Sequence, residues 1–184
     1  MAKLKWKGKD WYQIVAPKFL REISIGETPA IDPNQLKGRV IETSLMELTN
    51  DPRKYYIKVF LSIDNIDGNR ASTRFHGHNC TRDYIARIVQ IRTSRIDTND
   101  VIELKDGKIR LKTIAISNRA VQSKIIVKLR RAIRKMIKEK LSEMTIEDFV
   151  KNLTFGKVQI EIKEDMSKIY PLRFFEFRSS EVVM

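Results

Sequence analysis

The spacing of hydrophobic residues predicts a succession of short strands and amphipathic helices. From Ile57 to Ile63 an apolar side chain occupies every second position, which is the period of a strand with one buried face. The Asp-Gly pair at 67–68 predicts the turn that follows this strand. We expect further strands at residues 11–15, 22–25, 37–42, 71–77, 101–104, 109–116 and 172–178.

A second Asp-Gly pair, at 106–107, predicts a hairpin with a type I′ turn. A two-residue loop at this place pairs Leu104 with Ile109 and Glu103 with Arg110. The apolar pair and the oppositely charged pair then lie on opposite faces of the hairpin. The sequence therefore predicts a register as well as two strands.

Four segments show the three- and four-residue spacing of amphipathic helices: 82–91, 119–141, 145–153 and 157–170. Thr81 and Thr145 suit the position before a helix, because a threonine hydroxyl can accept a hydrogen bond from a free backbone N–H group. Thr43 or Ser44 can cap a single helical turn in the same way. The segment 157–170 also alternates like a strand at its start, but its longer helical spacing favours a helix. Strands and helices in this mixed order indicate the α+β class.

Length and composition indicate one globular domain preceded by a basic tail. The chain has 184 residues, 42% of them hydrophobic, and a chain of this size buries roughly 70% of the surface that its unfolded form exposes. We expect a basic N-terminal tail at residues 1–10 and a single domain at 11–184. No apolar segment reaches the length of about 20 residues that spans a bilayer, no signal peptide is recognisable, and the single cysteine fits the reducing cytoplasm.

The net charge of +13 is concentrated in clusters, which favours a polyanionic partner. Residues 105–140 hold thirteen lysines and arginines against two acidic residues. Many of these cations lie on the helix expected at 119–141, where like charges four residues apart destabilise an isolated helix by about 0.2–0.5 kcal/mol per pair. Contact with a nucleic-acid backbone therefore explains the charges of this helix better than exposure to solvent does. A membrane-surface helix is disfavoured, because the apolar face lacks Trp and Phe. The RNA-binding candidates on this long basic amphipathic helix are Lys124, Lys128, Arg131, Arg134, Lys135 and Lys138.

Two further basic clusters are candidates for RNA contact. The first is the tail, with Lys3, Lys5, Trp6, Lys7 and Lys9, where the tryptophan ring suits stacking on an unpaired base. The second comprises Arg74, His76, His78, Arg82, Arg87, Arg92 and Arg95. We favour phosphate contacts for the two histidines, and the alternative for each is a hydrogen-bonded role within the fold. Zinc requires a fourth ligand beside His76, His78 and Cys80, and the chain has no further Cys or His, so we expect no metal.

No motif predicts catalysis or a cofactor. The chain has no Gly-rich phosphate loop and no nucleophile elbow. Neighbouring carboxylates, such as those of Glu147 and Asp148, stand at an expected helix start, where capping explains them. We therefore expect a protein that is not an enzyme and binds no cofactor.

Five regions, in the same order over nearly the whole chain, resemble a known family. They are KWKGKDWY at 5–12, LKGRV and ETSL within 36–45, FHGH and TRDYI within 75–85, RTSRID at 92–97, and IYPLR and RSSEV within 169–182. Together they resemble the S3Ae (or S1e) family of small-subunit ribosomal proteins of archaea and eukaryotes. The chain lacks the long lysine-rich C-terminal extension of the eukaryotic members and so resembles the archaeal form.

The resemblance implies a fold and a place of action. The family's fold is an antiparallel, strongly bent, β-barrel-like core with packed helices. Its members bind small-subunit rRNA on the platform, near the rRNA 3′ end and the mRNA exit, beside other platform proteins. We therefore expect a cytoplasmic structural protein of the small subunit, with mRNA or initiation factors as candidate further contacts and no membrane partner. The alternative functions are a free RNA-binding translation regulator and an RNA-processing protein.

Overall fold

The computed structural model describes residues 8–183, which divide after Gly77 into two compact units. The strand Arg70–Cys80 crosses this boundary, and its last three residues belong to the second unit. The expectation of a single domain over residues 11–184 stays a prediction.

The first unit is built mainly from strands: β1 (Asp10–Val15), β2 (Ser24–Ala30), β3 (Val40–Ser44), β4 (Ile57–Asp67) and the larger part of β5 (Arg70–Cys80). Their order is β2-β1-β5-β4-β3. The β1–β2 and β3–β4 pairs are antiparallel, whereas β1 and β5 are parallel. Tyr12, Leu36 and Ile63 are buried together in the core of this unit. The parallel pair departs from the antiparallel sheet that the resemblance implies, and the long chain between β1 and β5 permits it.

Capping and backbone geometry set the boundaries of β3 and the short helix after it. The helix α1 (Leu45–Thr49) begins where the backbone N–H of Met46 donates to Ser44 Oγ at 3.3 Å, which confirms the predicted cap. The strand β3 starts at Val40 instead of residue 37, because Gly38 has the left-handed φ of 81° that interrupts a regular strand.

The second unit contains the last three strands and the four longer helices. In chain order these are α2 (Arg82–Ile88), β6 (Arg95–Leu104), β7 (Gly107–Ser117), α3 (Ser123–Leu141), α4 (Ile146–Phe155), α5 (Lys157–Ser167) and β8 (Leu172–Val183). The strands β6, β7 and β8 pair antiparallel in that order. The helix α3 packs against β6 and α5. The ambiguous segment from residue 157 is a helix, as its longer periodicity favours.

The hairpin of β6 and β7 forms where it was expected, but its register differs by two residues from the predicted one. Leu104 pairs with Gly107 and Glu103 with Lys108, so the turn is made by Lys105 and Asp106. Gly107 does not have the positive φ that a type I′ turn at residues 106–107 requires. A shift of two residues keeps every side chain on its predicted face, because side chains alternate along a strand.

These elements confirm the α+β class. Among the described residues, the strand order of the first unit ends at β2 and at β3, and that of the second unit ends at β6. The strands of neither unit therefore form a closed order. The barrel-like closure implied by the resemblance is therefore not confirmed.

Candidate nucleic-acid interface

The helix α3 separates an apolar face from a cationic face. Leu129, Ile133, Ile137 and Leu141 recur every four residues and are buried. This spacing places them in one stripe along the helix, and the side chains at the intervening positions point away from it. The apolar stripe therefore fixes which side of α3 is exposed.

All six candidate cations of α3 are exposed: Lys124, Lys128, Arg131, Arg134, Lys135 and Lys138. Two of them have acidic partners. Arg134 Nε lies 3.2 Å from Asp100 Oδ2, and Lys135 Nζ lies 3.8 Å from Glu139 Oε1. The exposed pair of Lys135 and Glu139 contributes only about 0–1 kcal/mol, so Lys135 can exchange partners at small cost. The Asp100 side chain is only 16% exposed, so Arg134 is held more firmly.

The other four cations of α3 form a row without acidic partners. Within residues 8–183, no carboxylate lies within ion-pair distance of Lys124, Lys128, Arg131 or Lys138. The row extends over about 21 Å, at 1.5 Å of rise per residue. We call these four residues the α3 cation row. Its unneutralised charge is suited to a partner with regularly spaced negative charges.

The second predicted cluster divides between the two units. In the first unit Arg74 is exposed, with its guanidinium 3.8 Å from Asp64, and His76 is half-buried. In the second unit Arg82, Arg87, Arg92 and Arg95 are all exposed. Arg87 lies 5.8 Å from the ring centroid of Tyr84, and Arg92 has a left-handed φ of 64°. Apart from one histidine, the cluster is therefore accessible to solvent.

That histidine is His78, and its predicted RNA contact is corrected by the structure. Its side chain is 0% exposed, and its ring centroid lies 6.1 Å from that of Phe149. Nε2–H donates to the Phe177 carbonyl at 2.9 Å, and Nδ1 accepts from the Ser180 hydroxyl. Burial lowers the pKa of His78 from 6.5 to about 4, partly opposed by the hydrogen bond to the Phe177 backbone. His78 is thus a neutral, structurally bonded group.

The two histidines differ in burial although they lie on the same face of one strand. Even-numbered side chains of β5 share a face, which is exposed at Arg74 and buried at His78 and Cys80. The Cys80 thiol donates to the same Phe177 carbonyl at 3.3 Å. Within the described part of the chain, no three His, Cys, Asp or Glu side chains are grouped as metal ligands.

Lys3, Lys5, Trp6 and Lys7 of the predicted tail lie outside the described residues. Lys9 is described and half-buried, and β1 begins at the next residue. No described helix has the length and apolar character needed to cross a bilayer.

The structure also brings together three cations that were not among the sequence candidates, Lys112, Arg130 and Arg178, with one that was, Arg134. A pocket of about 300 Å³ is lined by Asp97 of β6, Lys112 of β7, Arg178 of β8, and Arg130 and Arg134 of α3. We call it the arginine pocket. Arg178 is 66 positions away from Lys112 in the sequence, so no local periodicity could place the two together; the register of β7 with β8 does so.

Comparison with known proteins gives consistent matches over the whole chain. Residues 2–184 match the model of the Ribosomal S3Ae family. A small ribosomal subunit protein eS1 of Desulfurococcus amylolyticus is 38% identical over 185 positions, covering 100% of this chain and 87% of the relative. The protein of that name from Methanothermobacter thermautotrophicus is 39% identical over 179 positions, covering 97% and 92%. That of Saccharolobus islandicus is 37% identical over 180 positions, covering 97% and 86%.

Proposed function

Because the chain belongs to the ribosomal S3Ae family, we propose that it is a structural protein of the small ribosomal subunit and binds small-subunit rRNA. Membership of the family confirms the resemblance seen in the sequence, and the relatives are archaeal. The family consists of ribosomal structural proteins, so the chain is not an enzyme. The place of action that follows from this proposal is the small subunit in the cytoplasm.

The α3 cation row is the observation that supports RNA binding most directly. Four cations without acidic partners among the described residues would repel one another on a helix that had only water beside it. Phosphates neutralise such a row and release condensed counterions, which makes binding favourable and strongly dependent on salt. The apolar stripe on the opposite side leaves this face of α3 open to a partner.

The remaining predicted contacts extend this proposal. We infer that Lys135 joins the row when RNA displaces Glu139, and that Arg134 contacts a phosphate while it stays paired with Asp100. The five exposed arginines of the second cluster and the half-buried His76 provide further phosphate contacts: Arg74, His76, Arg82, Arg87, Arg92 and Arg95. The tail residues Lys3, Lys5, Trp6, Lys7 and Lys9 are proposed as further RNA contacts.

The family further suggests where in the subunit these contacts lie. We propose the platform, close to the rRNA 3′ end and the mRNA exit, with neighbouring platform proteins as partners and mRNA or initiation factors as further contacts. Co-sedimentation separates this role from the alternatives. A structural protein stays stoichiometric with the small subunit after a high-salt wash, whereas a free translation regulator or an RNA-processing protein is removed.

Neutralisation of the α3 cation row tests the proposed interface. Lys124, Lys128, Arg131 and Lys138 are all changed to glutamine, which preserves the length and helix propensity of each side chain approximately. We expect weaker binding to small-subunit rRNA and a logarithmic salt slope that is shallower by up to about 3.6, at roughly 0.7–0.9 per lost phosphate contact. The measurement is a series of binding isotherms at increasing salt.

A matched control removes the same charge elsewhere. Lys18, Lys37, Arg53 and Lys157 are exposed, lie outside the predicted clusters and are likewise changed to glutamine. This variant should lose little of the salt slope. Equal losses in the two variants would show that net charge alone governs binding and would contradict the assignment to α3.

A further inference from the structure

The arginine pocket has the construction of a site for a single phosphate. It lies where Arg130 and Arg134 of α3 meet β6, β7 and β8, and all of these elements belong to the second unit. Its volume of about 300 Å³ is roughly ten times the ~30 Å³ that one water molecule occupies in the liquid. The space is therefore sufficient for a phosphodiester group.

A β-bulge places Arg178 at this pocket. Lys112 pairs with Ser179 and Thr113 with Phe177, so Arg178 has no partner directly opposite it in β7. Bulges bend the strand and redirect the side chain at the extra residue. Arg178 is consequently among the residues that line the pocket together with Lys112.

The acidic groups near the pocket are already engaged by other side chains. Asp97 is bound through both oxygens by Arg95, with Nε at 2.8 Å from Oδ2 and the terminal nitrogen at 3.1 Å from Oδ1. Asp100 lies 3.2 Å from Arg134 Nε. Lys112, Arg130 and Arg178 have no carboxylate within ion-pair distance among residues 8–183. The pocket therefore retains a positive charge.

Arg130 is held in a position from which it can bind an anion. Its Nε–H donates to the backbone carbonyl of Asp97 at 3.2 Å, which leaves both terminal nitrogens of the guanidinium without a partner in the described part of the chain. A guanidinium anchored at Nε loses less conformational freedom on binding an oxyanion. The guanidinium groups of Arg130 and Arg178, together with the Lys112 ammonium, can donate several charge-assisted hydrogen bonds to the two non-bridging oxygens of a phosphodiester.

We propose that the arginine pocket binds one phosphate of the RNA backbone through Lys112, Arg130 and Arg178. The inference rests on the proposed function, because rRNA supplies the phosphate. The arginine pocket adds one phosphate contact at a defined position, whereas the α3 cation row provides an extended electrostatic surface. Arg134, which belongs to both the pocket lining and α3, connects the two.

The test compares two double variants of the full chain. Lys112→Gln with Arg178→Gln removes two cations of the pocket. As a control, Lys108→Gln with Arg110→Gln removes two other cations of β7, the strand that carries Lys112. Lys108 is paired with Glu103, and Arg110 with Glu181. Binding to small-subunit rRNA is measured at several salt concentrations. We expect the pocket variant to lose about 1 from the salt slope and at least tenfold in affinity, and the control to lose much less.

Arg178→Lys provides a second variant that keeps the charge but removes the planar fork. We expect it to bind rRNA with an affinity between those of the wild type and Arg178→Gln, because a lysine cannot make two parallel hydrogen bonds to one phosphate. Thermal unfolding of each variant shows whether the fold is retained, since all the changed side chains are at least partly exposed.

The outcomes distinguish the pocket from the wider proposal. If the wild type binds rRNA with a steep salt slope and the two double variants behave alike, the pocket assignment is wrong and the proposed function stands. If the wild type does not bind small-subunit rRNA, both are overturned. Inorganic phosphate is titrated in parallel and followed by NMR of the arginine Nε–H groups. If phosphate saturates the pocket while the pocket variant keeps the wild-type salt slope for rRNA binding, the pocket binds a free anion and the RNA contact is refuted.

Discussion

Acidification is expected to destabilise the fold through His78. Its buried ring uses Nε2–H as a donor to the Phe177 carbonyl and Nδ1 as an acceptor for the Ser180 hydroxyl. A second ring proton, on Nδ1, therefore reverses the bond with Ser180, whose hydroxyl must then accept, and places a charge beside the Phe149 ring. Desolvation of that charge by burial lowers the pKa of His78 to about 4, and the hydrogen bond to the Phe177 backbone opposes it only in part.

The sign and size of the effect follow from the two pKa values. The unfolded chain binds the proton as the pH falls below 6.5, whereas the folded chain binds it only near pH 4. Between these values protons favour the unfolded state, so the stability from this group is fully present above pH 6.5 and is lost as the pH falls. A pKa difference of roughly 2.5 units corresponds to about 3 kcal/mol of unfolding free energy.

Denaturant unfolding followed by circular dichroism, repeated between about pH 7 and pH 4, measures this loss. The two histidines of the chain provide a matched pair of variants. His76→Gln should show the pH dependence of the wild type, and His78→Gln should lack about 3 kcal/mol of it while being less stable at neutral pH. The pKa of the Glu103 carboxylate is lowered by its hydrogen bond to Lys108 and by the charge of Lys108. Such carboxylates contribute equally to the pH dependence of stability in the wild type and in both variants. Parallel pH profiles for the two variants, or titration of the His78 imidazole itself near pH 6.5 by NMR, would refute the reasoning.

Three further predictions concern the helices of the second unit. Ile133→Ala should cost about 2–5 kcal/mol of unfolding free energy, because its side chain is fully buried, whereas Val127→Ala on the exposed part of α3 should cost less than about 1 kcal/mol; denaturant unfolding decides this. Thr145→Ala should cost about 1 kcal/mol and lower the unfolding midpoint, because Thr145 Oγ1 accepts from the Asp148 backbone N–H at 3.2 Å; an unchanged midpoint would contradict the role of the cap. Gly156→Ala should destabilise by about 1 kcal/mol, because φ is 72° between α4 and α5, whereas Gly26→Ala, which has open space and no positive φ, serves as the control in the same thermal unfolding assay.

Local patterns predicted the elements better than their pairing. Alternation identified the strand that became β4, and helical spacing identified α3 and α5, because burial of one face imposes a fixed period on the sequence. The hairpin register was wrong by two residues, since a shift of two leaves the apolar face unchanged and the local pattern cannot detect it.

The candidate interface shows the same division. The exposed position of the α3 cations follows from helical period alone, because the buried stripe defines the opposite face. The burial of His78 could not be predicted, because the groups that contact it, the Phe149 ring and the Phe177 backbone carbonyl, come from distant segments. Within β5 the same face is open at Arg74 and closed at His78, and only packing decides between them.

The amino-acid sequence by itself determined the α+β class, the concentration of charge and, through the order of its segments, the family. Each of these depends on composition or on neighbours along the chain. The tertiary structure alone decided which basic residues meet in space. Lys112, Arg130 and Arg178 come from three elements, and they converge because strand pairing, a bulge in β8 and the packing of α3 on β6 bring distant positions together. Proximity of this kind arises from long-range burial and backbone hydrogen bonding, which leave no local pattern in the sequence.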